Sequence, residues 1–142
     1  MPDDPSTHAI TPALEDCLEA MVIQLDEAGV IRVTDVARRL GVAKPSVTQS
    51  ISRLKDLGLA RQETYGHADL TPEGLVRAED IRGRHRLLRI FLHEVLGAEP
   101  EVADHEACAI EHALSPDTLS RLEAFTAGFT RRTARMERSV DR

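Results

Sequence analysis

Within HEACAIEH (105–112) stand His105, Cys108, Glu111 and His112, in a chain with two cysteines in all. Side chains three and four apart share one face of a helix, so Cys108, Glu111 and His112 point the same way. A thiol, a carboxylate and an imidazole together suit a mid-row transition ion better than calcium or magnesium. The same letters also fit a plain helix, with Cys108 as a small core residue and its neighbours solvated. A second acidic set, Glu15, Asp16 and Glu19, lies near the N-terminus. Asp16 and Glu19 sit i, i+3 beside an apolar stripe, an awkward place for two carboxylates unless a cation joins them. His85, in GRHRLLRIFL, precedes an apolar stripe and fits either a core boundary or a ligand role.

The elements that must hold these groups come from a chain of 142 residues, 42% hydrophobic and 30% charged, long enough for one medium or two small domains. Three Phe, one Tyr and no Trp leave the core to Leu, Ile, Val and Ala. No apolar run approaches the roughly 20 residues of a membrane span. MPDDPSTHAI carries neither basic flank nor apolar h-region, so secretion is not expected. Two cysteines make no disulfide framework. The expectation is a cytoplasmic protein with reduced thiols and no membrane partner.

Charge is unevenly placed. The net charge is −6, yet residues 32–61 carry seven basic and two acidic side chains, +5, which leaves −11 elsewhere. A basic module inside an acidic protein points to nucleic acid.

That module has a recognisable order. Leu14, Leu18, Met21, Val22 and Leu25 recur at helical spacing, with Thr11 as N-cap, Pro12 at the first helical position and Gly29 as the stop. A short extended piece follows at 30–33, then TDVARRLG, capped by Thr34 and ended by Gly41. KPSVTQSISRLKDLG forms the next helix to Gly58, with Val47, Ile51, Leu54 and Leu57 inward. LARQETYGHADL reads as two strands around a turn at 65–67. Two short helices and a hairpin make a winged helix-turn-helix. Beyond Thr71-Pro72-Glu73 the pattern predicts one unbroken helix to about Leu96, closed by Gly97, then helices near 99–113 and from Pro116 onward. The fold expected is mainly α: a winged helix-turn-helix over 1–71 and an all-helical metal-binding and dimerisation domain over 72–142.

A recognition helix meets bases with its first turns. Here these offer Lys44, Pro45, Ser46, Thr48, Gln49, Ser50 and Arg53. Gln49 suits paired hydrogen bonds to a base edge, Pro45 a thymine methyl, and Lys44, Ser46, Thr48 and Arg53 phosphates. Arg61 and His67 on the wing suit backbone or minor groove.

EDCLE, VAKPSVTQSISRLKDLGL, GRHRLLRIFL and HEACAIEH together resemble the diphtheria toxin repressor and manganese transport regulator family of metal-dependent repressors, from about Ala13 to Ala127. The resemblance implies metal ligands at Asp16, Glu19, His85, Cys108, Glu111 and His112. It implies a divalent ion, Fe2+ or Mn2+, with Zn2+, Co2+ or Ni2+ accepted in vitro. It also implies a homodimer on palindromic operator DNA, in the short form without an SH3-like domain. The natural dimer interface is around Phe91, Leu96, Leu119, Leu122 and Phe125. Cys108 replaces the carboxylate of the manganese-type pattern, and Asp16 replaces the Met of the iron-type pattern. Asp104 and Arg89 depart from residues of a second, ancillary site. Two rival readings remain: a winged-helix regulator sensing an organic ligand or thiol oxidation, and a zinc hydrolase, for which no general base or cleft is signalled.

Overall fold

A computed structural model describes residues 10–62 and 65–141. The expected hairpin's residues 63–64, and positions 1–9 and 142 of the two expected domains, lie outside the described residues. The chain divides into two compact units, Met1–Ile81 and Arg82–Arg142. Among the described residues no helix is long and apolar enough to cross a membrane.

In the first unit, helix α1 spans Pro12–Ala28. Thr11 accepts the Leu14 N–H at its start. At its end Gly29 adopts φ 72°, a left-handed conformation that costs glycine little, and donates to the Leu25 carbonyl. Its face of Leu14, Leu18, Met21 and Val22 is buried. Strand β1 (Ile31–Arg32) leads into α2 (Val33–Leu40). The expected cap at Thr34 is not formed: Arg32 takes the N-cap position, and Thr34 lies exposed in the first turn. The Val33 N–H is instead satisfied by the Gly66 carbonyl at 3.0 Å, so a tertiary bond replaces a side-chain cap there.

Helix α3 (Lys44–Asp56) buries Val47, Ile51 and Leu54. Leu57, expected inward, is 43% exposed because the helix has ended and the apolar phase passes to buried Leu59. Strands β2 (Ala60–Gln62) and β3 (His67–Leu70) pair antiparallel, and β1 adds to β3, giving the order β1-β3-β2. Register sets Ile31 opposite Ala68 and Ala60 opposite Leu70, and all four are buried with the helices. Helix α4 (Pro72–Ile90) starts under tight constraint. Thr71 Oγ1 donates to the Gly58 carbonyl at 2.7 Å and accepts the Gly74 N–H at 3.0 Å. A Cβ on Gly74 would lie 1.8 Å from the Leu59 carbonyl oxygen, so the approach requires glycine.

The second unit holds the end of α4, α5 (Pro100–Ile110) and α6 (Pro116–Val140). The long helix is not unbroken. Phe91–Val95 forms a π-helical turn, with Leu96 N–H on the Phe91 carbonyl. The added residue keeps Leu92 on the buried side with Leu88, and Ala98 N–H then closes onto the Leu92 carbonyl beyond Gly97. Ser115 caps α6 by accepting the Thr118 N–H. The core is small: Leu88, Leu92, Ala103 and Ala107, with Phe91, Ala98, Leu114 and Leu122 packed against them.

Candidate metal centre and nucleic-acid interface

Glu111 ends α5 and is fully buried, the one acidic side chain of the second unit to be so among the described residues. Arg84 holds its backbone carbonyl at 3.2 Å. Its Oε2 lies 2.9 Å from His85 Nδ1. Its Oε1 has no hydrogen-bond partner among the described residues; His112 Nε2 stands 3.4 Å away without hydrogen-bond alignment. A buried carboxylate oxygen without a hydrogen bond is costly. It fits a site that a cation completes.

Three of the expected ligands, His85, Glu111 and His112, are therefore gathered in this unit. Cys108 lies on the same helix, exposed. Asp104 was set apart in the sequence as a departure from an ancillary site, yet its Oδ1 sits 2.8 Å from His85 Nε2. Its spacing to Cys108 and Glu111, i, i+4 and i+7, was the available signal. His105 is exposed and takes part in none of these contacts. The donors are imidazole, carboxylate and thiol, the set expected of a borderline divalent ion. In the first unit Asp16 and Glu19 are half-buried on α1. Cys17 between them is buried, and desolvation, then the Asp16 charge, pushes its thiol up to about 12. It stays protonated at neutral pH and makes a poor oxidant sensor.

On the winged helix, Lys44, Pro45, Ser46, Thr48, Gln49, Arg53 and Arg61 are exposed, and Ser50 is half-buried. Thr48 Oγ1 donates to the Lys44 carbonyl, which leaves its oxygen free to accept. The basic segment is less uniform than its letters suggest. Arg38 lies 3.7 Å from Asp35, and Arg39 lies 2.7 Å from Glu27. Arg32, Lys44, Arg53, Lys55 and Arg61 have no ion-pair partner among the described residues. Those five are the cations available to phosphates.

A basic winged helix followed by a helical unit with a buried carboxylate among imidazoles defines a metal-responsive DNA-binding regulator. Comparison with known proteins agrees. Residues 9–68 match the family described as "Iron dependent repressor, N-terminal DNA binding domain", and residues 71–136 match "Iron dependent repressor, metal binding and dimerisation domain". An uncharacterized HTH-type transcriptional regulator of Methanocaldococcus jannaschii is 35% identical over 121 residues, covering 84% of this chain and 97% of that protein. The transcriptional regulator MntR of Salmonella typhimurium is 38% identical over 113 residues, covering 80% of this chain and 71% of that protein. A solved manganese-dependent transcriptional repressor in complex with manganese superposes with a TM-score of 0.73 at 29% identity, over 80% of this chain and 52% of its own. The chain thus spans about half the length of that solved relative. It belongs to the iron-dependent repressor family of metal-dependent transcriptional repressors, which are regulators and not enzymes. The family's two domains imply DNA and a second copy of the chain as partners.

Proposed function

We propose that this chain is a metal-activated repressor of metal-homeostasis genes. As a cytoplasmic homodimer loaded with Fe2+ or Mn2+, it binds palindromic promoter DNA. The observation that carries the reading is Glu111, a buried carboxylate with one oxygen lacking a hydrogen bond, in a chain whose other unit is a basic winged helix. Asp16, Glu19, His85, Cys108, Glu111 and His112 are the proposed ligands, and 1–71 and 72–142 the functional division. The bound ion supplies positive charge that offsets the carboxylates of Asp16, Glu19 and Glu111. Without it those carboxylates repel one another, and the winged helix is free to move. With it, two winged helices are held at one separation and reach half-sites about one helical turn apart. Coupling of this kind is reciprocal, so operator DNA tightens metal binding. Lys44, Ser46, Thr48, Arg53 and Arg61 serve phosphates, and Pro45, Gln49 and Ser50 lie toward the bases.

Ligand chemistry leans two ways. Carboxylates suit manganese, and the Cys108 thiolate draws toward iron or zinc. Anaerobic capture of genomic fragments tests the reading, comparing chelator-stripped protein with protein given Mn2+, Fe2+ or Zn2+ at matched free concentrations. Palindromic promoter fragments are expected with metal alone, and Glu111→Ala or His112→Ala removes the response in a folded dimer. Equal capture with and without metal overturns the reading in favour of an organic-ligand or thiol-oxidation sensor.

A further inference from the structure

We infer that the C-terminal end of α6 is a second DNA-contacting element, an arginine row that binds duplex phosphates outside the winged helix. The inference rests on the DNA-binding reading above.

The sequence 131–138, RRTARMER, holds four arginines and one glutamate, +3 in eight residues. Together with the +5 of 32–61, it leaves −14 on the rest of the chain. A third run, 82–89, holds four arginines and no acidic residue, +4, so the net-acidic protein has three basic segments, of which the family's DNA-binding domain accounts for one.

The end of α6 is helical to Val140, yet every residue from Arg131 to Asp141 is exposed. The helix has run past the core that supports its first half, where Leu119 and Thr126 are buried. A free helix of that length is marginal in water, so a partner is the natural support. Arg131, Arg135 and Arg138 lie at i, i+4 and i+7 on one face, with Arg132 beside them. None has an ion-pair partner among the described residues, and Arg131 Nε donates only to the Ala127 carbonyl of its own helix. Arg121, on the same helix, shows the contrast: it is engaged by Asp117 at 2.9 Å.

The row extends about 10 Å along a convex helix. A single convex helix cannot enclose a small anion. A duplex strand, by contrast, offers a phosphate about every 3.4 Å of its axis, and guanidinium forks suit that target. The opposite face carries Phe129, Met136 and Val140, with Phe129 stacked on Phe125. That apolar strip is narrow, and Phe129 is already engaged, which favours DNA over a lipid surface.

The test measures how the affinity of full-length, Mn2+-loaded protein for a fluorescent duplex of arbitrary sequence varies with salt. Arg131→Gln/Arg135→Gln/Arg138→Gln should make the log–log salt slope shallower by about 0.9 per lost phosphate contact, 2 to 3 per subunit. The matching Lys triple variant should keep the slope, and Arg77→Gln/Arg86→Gln/Arg121→Gln controls for net charge alone. Lys44→Gln/Arg53→Gln reports on the winged helix independently. An unchanged slope in the Gln triple variant, with the winged-helix variant weakened, overturns the arginine row and leaves the repressor reading standing. Loss of binding to phosphatidylserine vesicles in place of a changed DNA slope also overturns it, for a membrane role. No duplex binding by the unmodified protein in any metal defeats both.

Discussion

The two units are built on opposite principles. The first buries an apolar cluster fed by α1, α2, α3, the sheet and the start of α4, including Leu18, Met21, Ile51, Leu54 and Ile81. The second buries five apolar residues, two of them alanine, along with Thr126 and the fully buried carboxylate of Glu111. It leaves Leu96 63%, Phe125 51% and Met136 71% exposed. Apolar burial is the dominant favourable force in folding, and a buried charge opposes it. The first unit therefore carries its own stability. On the proposed function, the second draws on what binds to it, a cation at Glu111 and a second copy over its apolar surface, as a ligand-responsive unit would require.

The largest effect should come from the first core. Leu54 is fully buried, and Leu54→Ala should cost about 2–5 kcal/mol in chemical denaturation. Leu92→Ala in the metal-free second unit should cost clearly less, because a loosely supported site relaxes into the space. Equal losses would break the comparison. Next is metal linkage: Mn2+ at about a hundred times its dissociation constant should stabilise the protein by about 2.7 kcal/mol. Glu111→Gln should remove most of that gain. Hydrogen exchange should place the protection at the end of α4 and α5 in preference to the apolar core around Leu18; protection confined to the first unit would contradict the assignment.

Two glycines of α4 sharpen the contrast at smaller cost. Gly74→Ala drives a methyl into the Leu59 carbonyl, 1.8 Å away, and should destabilise by about 1–3 kcal/mol. Gly83 meets nothing within 4 Å, so Gly83→Ala should stabilise by up to about 1 kcal/mol. Thermal denaturation of the two variants should move in opposite directions.

Local signals in the sequence reached far. Thr11-Pro12 and Gly29 bounded α1, the Val47-Ile51-Leu54 spacing oriented the recognition helix, and Cys-x-x-Glu-His marked the end of α5, where Glu111 is the C-cap. What stayed hidden depends on partners distant in the chain. Strand β1 has two residues and acquires its identity from pairing with β3. Thr34 loses its capping role to a carbonyl of the wing turn. Asp104 becomes a partner of His85 only when α5 packs on α4, nineteen residues away in sequence. Glu27 takes Arg39 out of the basic face across twelve residues. Residue type and spacing identify which groups exist, whereas tertiary packing decides which are already engaged.

The smallest effect sets one thiol against the other. Cys17, in the first unit, is buried, and desolvation first and Asp16 second raise its thiol to about 12; Cys108, in the second, is exposed. A thiol whose pKa is higher folded than unfolded adds stability that is fully present below the unfolded value. That contribution is lost as pH rises through the window toward the folded value. From pH 8 to pH 10 the loss should be about 1 kcal/mol, since an ordinary thiol ionises there and this one does not. Cys17→Ala should flatten that part of the stability–pH curve, and Cys108→Ala should leave it unchanged. In the folded protein at pH 8, iodoacetamide should label Cys108 and spare Cys17, which has roughly a thousandfold less thiolate than an ordinary thiol. Equal labelling of the two would mean that α1 opens readily, and the first unit would lose its standing as the stable partner.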